Sequence, residues 1–186
     1  MTGPADVHDA FDLVEEQFSE ALDESLDPAG PGVLYDYVAA MGLPAGSVAL
    51  DAGCGEGEHA IELSRRFGLR VTGIDPVARC VEAARRATRP GGTVTFETGT
   101  AEDLPAASDS VDLIWCRDVL CLVEDLGRAY REFRRVLRPG GRAVLLAMEY
   151  EGLKRTLTAR RWKVTRALRV RMLGQPCVLS VWNKPG

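Results

Sequence analysis

The chain has 186 residues, 46% hydrophobic and 27% charged, enough for one domain with its own core. No apolar run approaches the roughly 18 residues of a membrane-spanning helix. The net charge of −4 is unevenly spread: fourteen Asp and Glu precede Arg65, the first basic residue. The acidic N-terminus lacks a basic-then-apolar leader pattern, so a cytoplasmic protein is expected.

Residues Asp6 to about Leu26 place Phe11, Val14, Phe18, Leu22 and Leu26 three or four apart, which predicts an amphipathic helix. Asp27-Pro28-Ala29-Gly30-Pro31-Gly32 breaks it, and a short helix over Val33–Met41 follows. From Ser47 strands and helices alternate. Strands are predicted at Ser47–Asp51, Arg70–Ile74, Thr93–Thr98, Val111–Cys116 and Arg142–Met148. Helices are predicted at about Glu58–Phe67, Val77–Ala87 and Asp125–Leu137. That alternation implies a parallel sheet covered on both faces. A short helix near Gly152–Arg161 leads to Lys163–Met172 and Cys177–Trp182, whose short connection permits only an antiparallel hairpin.

Between the first strand and its helix lies Asp51-Ala52-Gly53-Cys54-Gly55-Glu56-Gly57. Alternating glycines allow positive φ and close approach of backbone to a ligand, and the helix N-terminus offers unpaired N–H groups. In an open α/β sheet, ligands bind beyond the carboxyl ends of the strands, where this loop sits. The loop alone does not choose the ligand. Residues 55–60 also satisfy the G-x-G-x-x-A form of a nicotinamide fingerprint, and Asp75 suits the acidic residue that grips ribose in either case.

Other chemistry is sparse. Cys54, Cys80, Cys116, Cys121 and Cys177 form no C-x-x-C pair, and only His8 and His59 are present, so neither a disulfide framework nor a metal site is expected. Cys54 is read as a small packing residue and His59 as structural. The basic block Lys154–Arg171 is read as balancing the acidic N-terminal half rather than as a nucleic-acid footprint.

The glycine loop resembles the D-x-G-x-G-x-G motif of class I S-adenosylmethionine-dependent methyltransferases. Four further stretches match that family in order: Val71–Pro76, Gly99–Pro105, Ser110–Arg117 and Arg135–Arg142. The resemblance is strongest over residues 47–148. It implies a Rossmann-like three-layer α/β sandwich, with a mostly parallel seven-stranded sheet ending in an antiparallel strand. It also implies S-adenosyl-L-methionine as cofactor with S-adenosyl-L-homocysteine as product. Separately, the apolar stripe of the first helix needs a surface to bury it and Asp27–Gly32 lets it fold back, so an N-terminal helical cover over residues 1–32 is expected beside a cofactor-binding domain over 33–186.

By the same resemblance Gly53, Gly55 and Gly57 let the chain approach the methionine and ribose portions. Asp51 orients the methionine end, Asp75 accepts from the ribose hydroxyls, and Pro76 lies against adenine. Ala101 and Glu102 sit by the adenine amino edge, and Cys116 and Arg117 close the pocket. Cys54 belongs to the cofactor loop. Two departures concern the acceptor side: Leu122 stands where relatives often carry histidine, and Glu149-Tyr150-Glu151 runs into the last helix without the common insertion.

The expected reaction is in-line methyl transfer to a small molecule. Residues 116–119, Cys-Arg-Asp-Val, replace the Asn/Asp-Pro-Pro-aromatic motif of base methylases, and only Trp162 offers a stacking ring in the basic block, so neither nucleic acid nor a membrane is an expected partner. A homodimer is left open. Asp118, Glu149, Tyr150 and His8 are candidate bases, and none is nominated. A non-catalytic cofactor-binding module and an NAD-dependent oxidoreductase stand as alternatives.

Overall fold

The computed structural model describes residues 32–120, 122–148, 163–172 and 175–184. The expected helix at Asp6–Leu26, most of the proposed cover, His8, Cys121, Glu149, Tyr150, the helix near Gly152–Arg161 and the first part of the basic block lie outside the described residues.

Helix α1 spans Gly32–Ala39, and β1 follows at Val48–Ala52. Helix α2, Glu58–Phe67, is bounded by two left-handed glycines, Gly57 (φ 89°) and Gly68 (φ 65°). Gly68 donates its N–H to Ser64 and so closes the last turn. Strand β2 is Arg70–Asp75, and α3, Ala78–Ala87, buries Cys80, Val81 and Ala84 on one face. Strand β3 is Val94–Thr98 and β4 is Val111–Arg117. Helix α4, Leu126–Val136, starts where the Asp125 carboxylate accepts from Arg128 N, and it buries Ala129, Tyr130, Phe133 and Val136 at helical spacing.

Strand β5 runs Leu137–Met148, beginning five residues before the start predicted from sequence. Leu137 already pairs with Val111, and the next pair is Leu113 with Arg142. Between them Arg138-Pro139-Gly140-Gly141 bulges out, with Gly140 at φ 78°. Proline lacks the donor a ladder needs, so the turn interrupts the strand without ending the pairing. The other elements among the described residues match their predicted ranges to within two residues.

The sheet order is β3-β2-β1-β4-β5-β7-β6, with β6 at Lys163–Met172 and β7 at Gln175–Asn183. Strands β1 to β5 pair in parallel, while β7 pairs antiparallel with both β5 and β6. The parallel α/β architecture expected from the alternation is therefore the one found. The order in which strands are added reverses between β1 and β4, from one side of β1 to the other, which makes their carboxyl ends the topological switch point.

Alternation along the strands sorts the core into two layers. Ala49, Leu113, Trp115 and Val144 face α1, α2 and α3, while Leu50, Ile114, Cys116 and Leu145 face α4. Each fully buried Leu, Ile or Phe contributes about 1.5–3 kcal/mol relative to exposure. Among the described residues, no helix is long and apolar enough to cross a membrane.

Candidate functional site

Past β1 the glycine loop turns back over the end of β2. The N–H groups of Gly53 and Cys54 both donate to Ile74 O, at 2.8 and 3.0 Å. Asp75, the last residue of β2, then ties the loops together: its Oδ2 accepts from Gly55 N at 3.0 Å and its Oδ1 from Val77 N at 2.9 Å. The carboxylate is thus both a structural clasp and part of a cavity wall.

That cavity, about 670 Å³, opens beyond the carboxyl ends of β1, β2 and β3. Of the residues singled out from sequence it is lined by Gly53, Asp75, Pro76, Ala101 and Glu102. Its opposite wall is apolar: Val119, Leu122 and Val123, from the loop after β4. Glu102 also braces the site, because its Oε1 accepts from Glu124 N at 2.8 Å across the opening. Beneath the loop that follows β3, Arg135 donates to Leu104 O and Ala106 O while pairing with Glu132. Of the wall residues the sequence marks only Leu122; Val119, Val123, Asp125 and Arg128 carry no such mark, since the stretch between β4 and α4 has no periodicity to read. The only available signal was its position after a strand end.

Asp51, Cys54, Gly55, Gly57, Cys116 and Arg117 do not line this cavity. Asp51 lies behind it, 1% exposed, with Oδ2 lacking any hydrogen-bond partner. Burial first, and the charge of Asp75 second, push its carboxyl up to about 7, against the opposing pull of the Ala60 N–H and Arg117. Cys54 is buried, and burial pushes its thiol well above the ordinary range, which makes it a packing residue and not a nucleophile. Cys116 points into the α4 layer. Arg117 turns to the α1–α2 side, where its guanidinium meets His59.

The three glycines serve different ends. A Cβ on Gly53 would fall 2.0 Å from the Val119 side chain. One on Gly55 (φ 50°) would meet nothing within 4 Å. One on Gly57 would strike Phe96 Cζ at 2.4 Å and Ala84 Cβ at 2.9 Å. Glycine at 57 is thus demanded by core packing as well as by its left-handed backbone. Gly57→Ala adds left-handed strain to an overlap with an aromatic ring and should cost about 3 kcal/mol or more. Gly55→Ala carries the strain alone, about 1–2 kcal/mol. Urea unfolding of both variants checks this, and equal losses would contradict the packing account.

Among the described residues, no three His, Cys, Asp or Glu side chains converge as metal ligands would.

Residues 50–145 match the methyltransferase domain family. Methyltransferase GfsG of Streptomyces halstedii is 35% identical over 134 residues, 69% of this chain and 48% of that protein. The 27-O-demethylrifamycin SV methyltransferase of Amycolatopsis mediterranei is 36% identical over 150 residues, 74% of this chain and 55% of that one. The chain thus spans about half the length of these curated relatives. Among solved structures, the putative methyltransferase complexed with the Haloferax volcanii Trm112 activator superposes with a TM-score of 0.79 at 18% identity, covering 96% of both chains. That likeness establishes the fold.

Proposed function

The chain belongs to the class I S-adenosylmethionine-dependent methyltransferases, and on that premise we propose that it binds S-adenosylmethionine in the cavity beside Asp75 and transfers the methyl group to a small molecule. The observation that carries this reading is the coincidence, at the switch point of the sheet, of a 670 Å³ cavity, the Asp75 clasp and a buried carboxylate oxygen of Asp51 without a partner. A buried polar atom left unpaired costs stability, and the cationic end of a ligand would offset that cost.

Asp75 would hold the ribose hydroxyls through the lone pairs its two backbone bonds leave over. Pro76 would lie against the base, with Ala101 and Glu102 at its amino edge. Gly53 and Gly55 would present backbone to the middle of the molecule, and Asp51 would face the methionine end. Cys54, Gly57 and Cys116 would contribute by keeping the loop and strand ends in place. The division into a cover over residues 1–32 and a binding domain over 33–186 belongs to the same proposal.

When bound, the cofactor supplies a methyl group already activated on a sulfonium. The protein's task is then alignment, which can lower the barrier by about 7–11 kcal/mol. The apolar wall of Val119, Leu122 and Val123 would exclude water from that alignment. Leu122 can neither take nor give a proton, and the Asp118 carboxylate is paired with Arg117 at 3.3 Å. These features favour an acceptor that needs little help losing a proton. The Amycolatopsis relative, named for 27-O-demethylrifamycin SV, supports an acceptor that is not nucleic acid.

Incubation with S-adenosylmethionine and a fractionated metabolite extract, with and without EDTA, tests the reading by mass spectrometry. The expected result is S-adenosylhomocysteine together with a product one methyl group heavier than its precursor, in both conditions. Cofactor that binds in every fraction yet is never consumed would favour a non-catalytic binding module instead.

A further inference from the structure

At one end of the sheet lies β3, which among the described residues has β2 as its one neighbouring strand. In a parallel ladder, alternate residues turn their peptide groups to alternate sides. Val71 N donates to Thr93 O at 2.8 Å and Gly99 N to Asp75 O at 3.1 Å, which fixes the alternation. Thr93, Thr95, Glu97 and Gly99 therefore face β2, and the peptide groups of Val94, Phe96 and Thr98 point away from the sheet. Outward groups so spaced are complementary to themselves. A second copy running antiparallel would set Val94 of one chain against Thr98 of the other, and Phe96 against Phe96, with N–H and C=O exchanged at each pair.

One side chain stands in the way. Arg85, in the last turn of α3, reaches the edge and donates to Phe96 O from Nε at 3.0 Å and from Nη2 at 2.8 Å. A carbonyl oxygen has two lone pairs, and the guanidinium takes both. Phe96 would sit at the twofold centre of the pairing, so the block acts in both copies at once. The strand has no alternative register to offer. The Phe96 ring fills the space above Gly57 and Gly73, and a slip of one residue would turn that buried ring to solvent.

We propose that Arg85 guards this edge: by occupying Phe96 O it keeps β3 from pairing with the β3 strand of a second copy of the chain. To pair, each copy would have to give up hydrogen bonds from a charged donor and displace the guanidinium. The inference stands apart from the cofactor reading, since neither Arg85 nor Phe96 lines the cavity.

Arg85→Met keeps the apolar stem and removes the donors. In sedimentation equilibrium of the full chain it should tighten self-association about hundredfold or more over wild type, because two guarded carbonyls are freed per pair. Arg85→Lys, which can still donate, should stay closer to wild type than to Arg85→Met. Adding Val94→Pro to Arg85→Met should restore wild-type behaviour, because the Val94 N–H faces outward and proline there removes no bond to β2. Amide exchange on the wild type needs no variant: Phe96 and Thr98 should exchange quickly, and Thr95 and Glu97 slowly, at every protein concentration. Three results would each overturn the inference: Arg85→Met that associates no more tightly than wild type, association that Val94→Pro leaves in place, or wild-type protection of the Phe96 N–H that grows with concentration.

Discussion

Replacing Asp75 with alanine is expected to weaken S-adenosylmethionine binding about ten- to hundredfold, because hydrogen bonds to a charged acceptor are worth about 1.5–3 kcal/mol. The carboxylate has a second duty, since it accepts from Gly55 N and Val77 N without any ligand present. Alanine would leave both N–H groups without this acceptor, so the ligand-free protein should also lose about 1–3 kcal/mol of unfolding free energy. Measuring unfolding and binding separately keeps the two effects apart. Asp75→Asn retains one acceptor oxygen and should fall between wild type and alanine in both. Wild-type affinity in a folded Asp75→Ala protein would place the ligand elsewhere.

The second large effect belongs to Asp51. Its carboxyl titrates at about 7 in the folded protein, against an ordinary value of 3.8. The folded value is raised, so the contribution to stability is fully present below the unfolded pKa and is lost as pH rises through the folded one. The window is about pH 4 to pH 7, and three units correspond to about 4 kcal/mol. Glu62 acts in the opposite sense and at lower pH: its arginine partners hold it down to about 2, so its exposed ion pairs fade only as the medium becomes strongly acidic. Urea unfolding at about pH 5 and about pH 8 should therefore show a steep fall in stability. Asp51→Asn, neutral throughout, should flatten it. An equal slope in that variant would remove Asp51 as the cause.

Much of the site could be read from local pattern. The order Asp51, Gly53, Gly55, Gly57 and then Asp75 is a contiguous signal, and the structure places Asp75 where its carboxylate clasps the loop. Helix α4 was legible as a segment between strands, and the structure buries its Ala129, Tyr130, Phe133 and Val136 at helical spacing. What escaped is what depends on residues remote in sequence. Phe96 on β3 dictates glycine at both 57 and 73, yet nothing near either glycine in the chain reveals it. The His59 bonds reach across to Tyr35 and Arg117, which come together only once α1, α2 and β4 have packed. Strand β5 began early because Leu137 regains its pairing across a proline–glycine bulge, where local rules read a stop. Arg117 was legible as a strand-end residue, but the side of the sheet it serves was not.

Calorimetric titration with S-adenosylhomocysteine and, separately, NAD decides whether the cavity beside Asp75 is an S-adenosylmethionine site. The predicted result is one S-adenosylhomocysteine bound per chain, no heat from NAD, and a marked loss of affinity in folded Asp75→Ala. Binding of NAD in place of S-adenosylhomocysteine would contradict the claim, as would S-adenosylhomocysteine binding that Asp75→Ala leaves untouched.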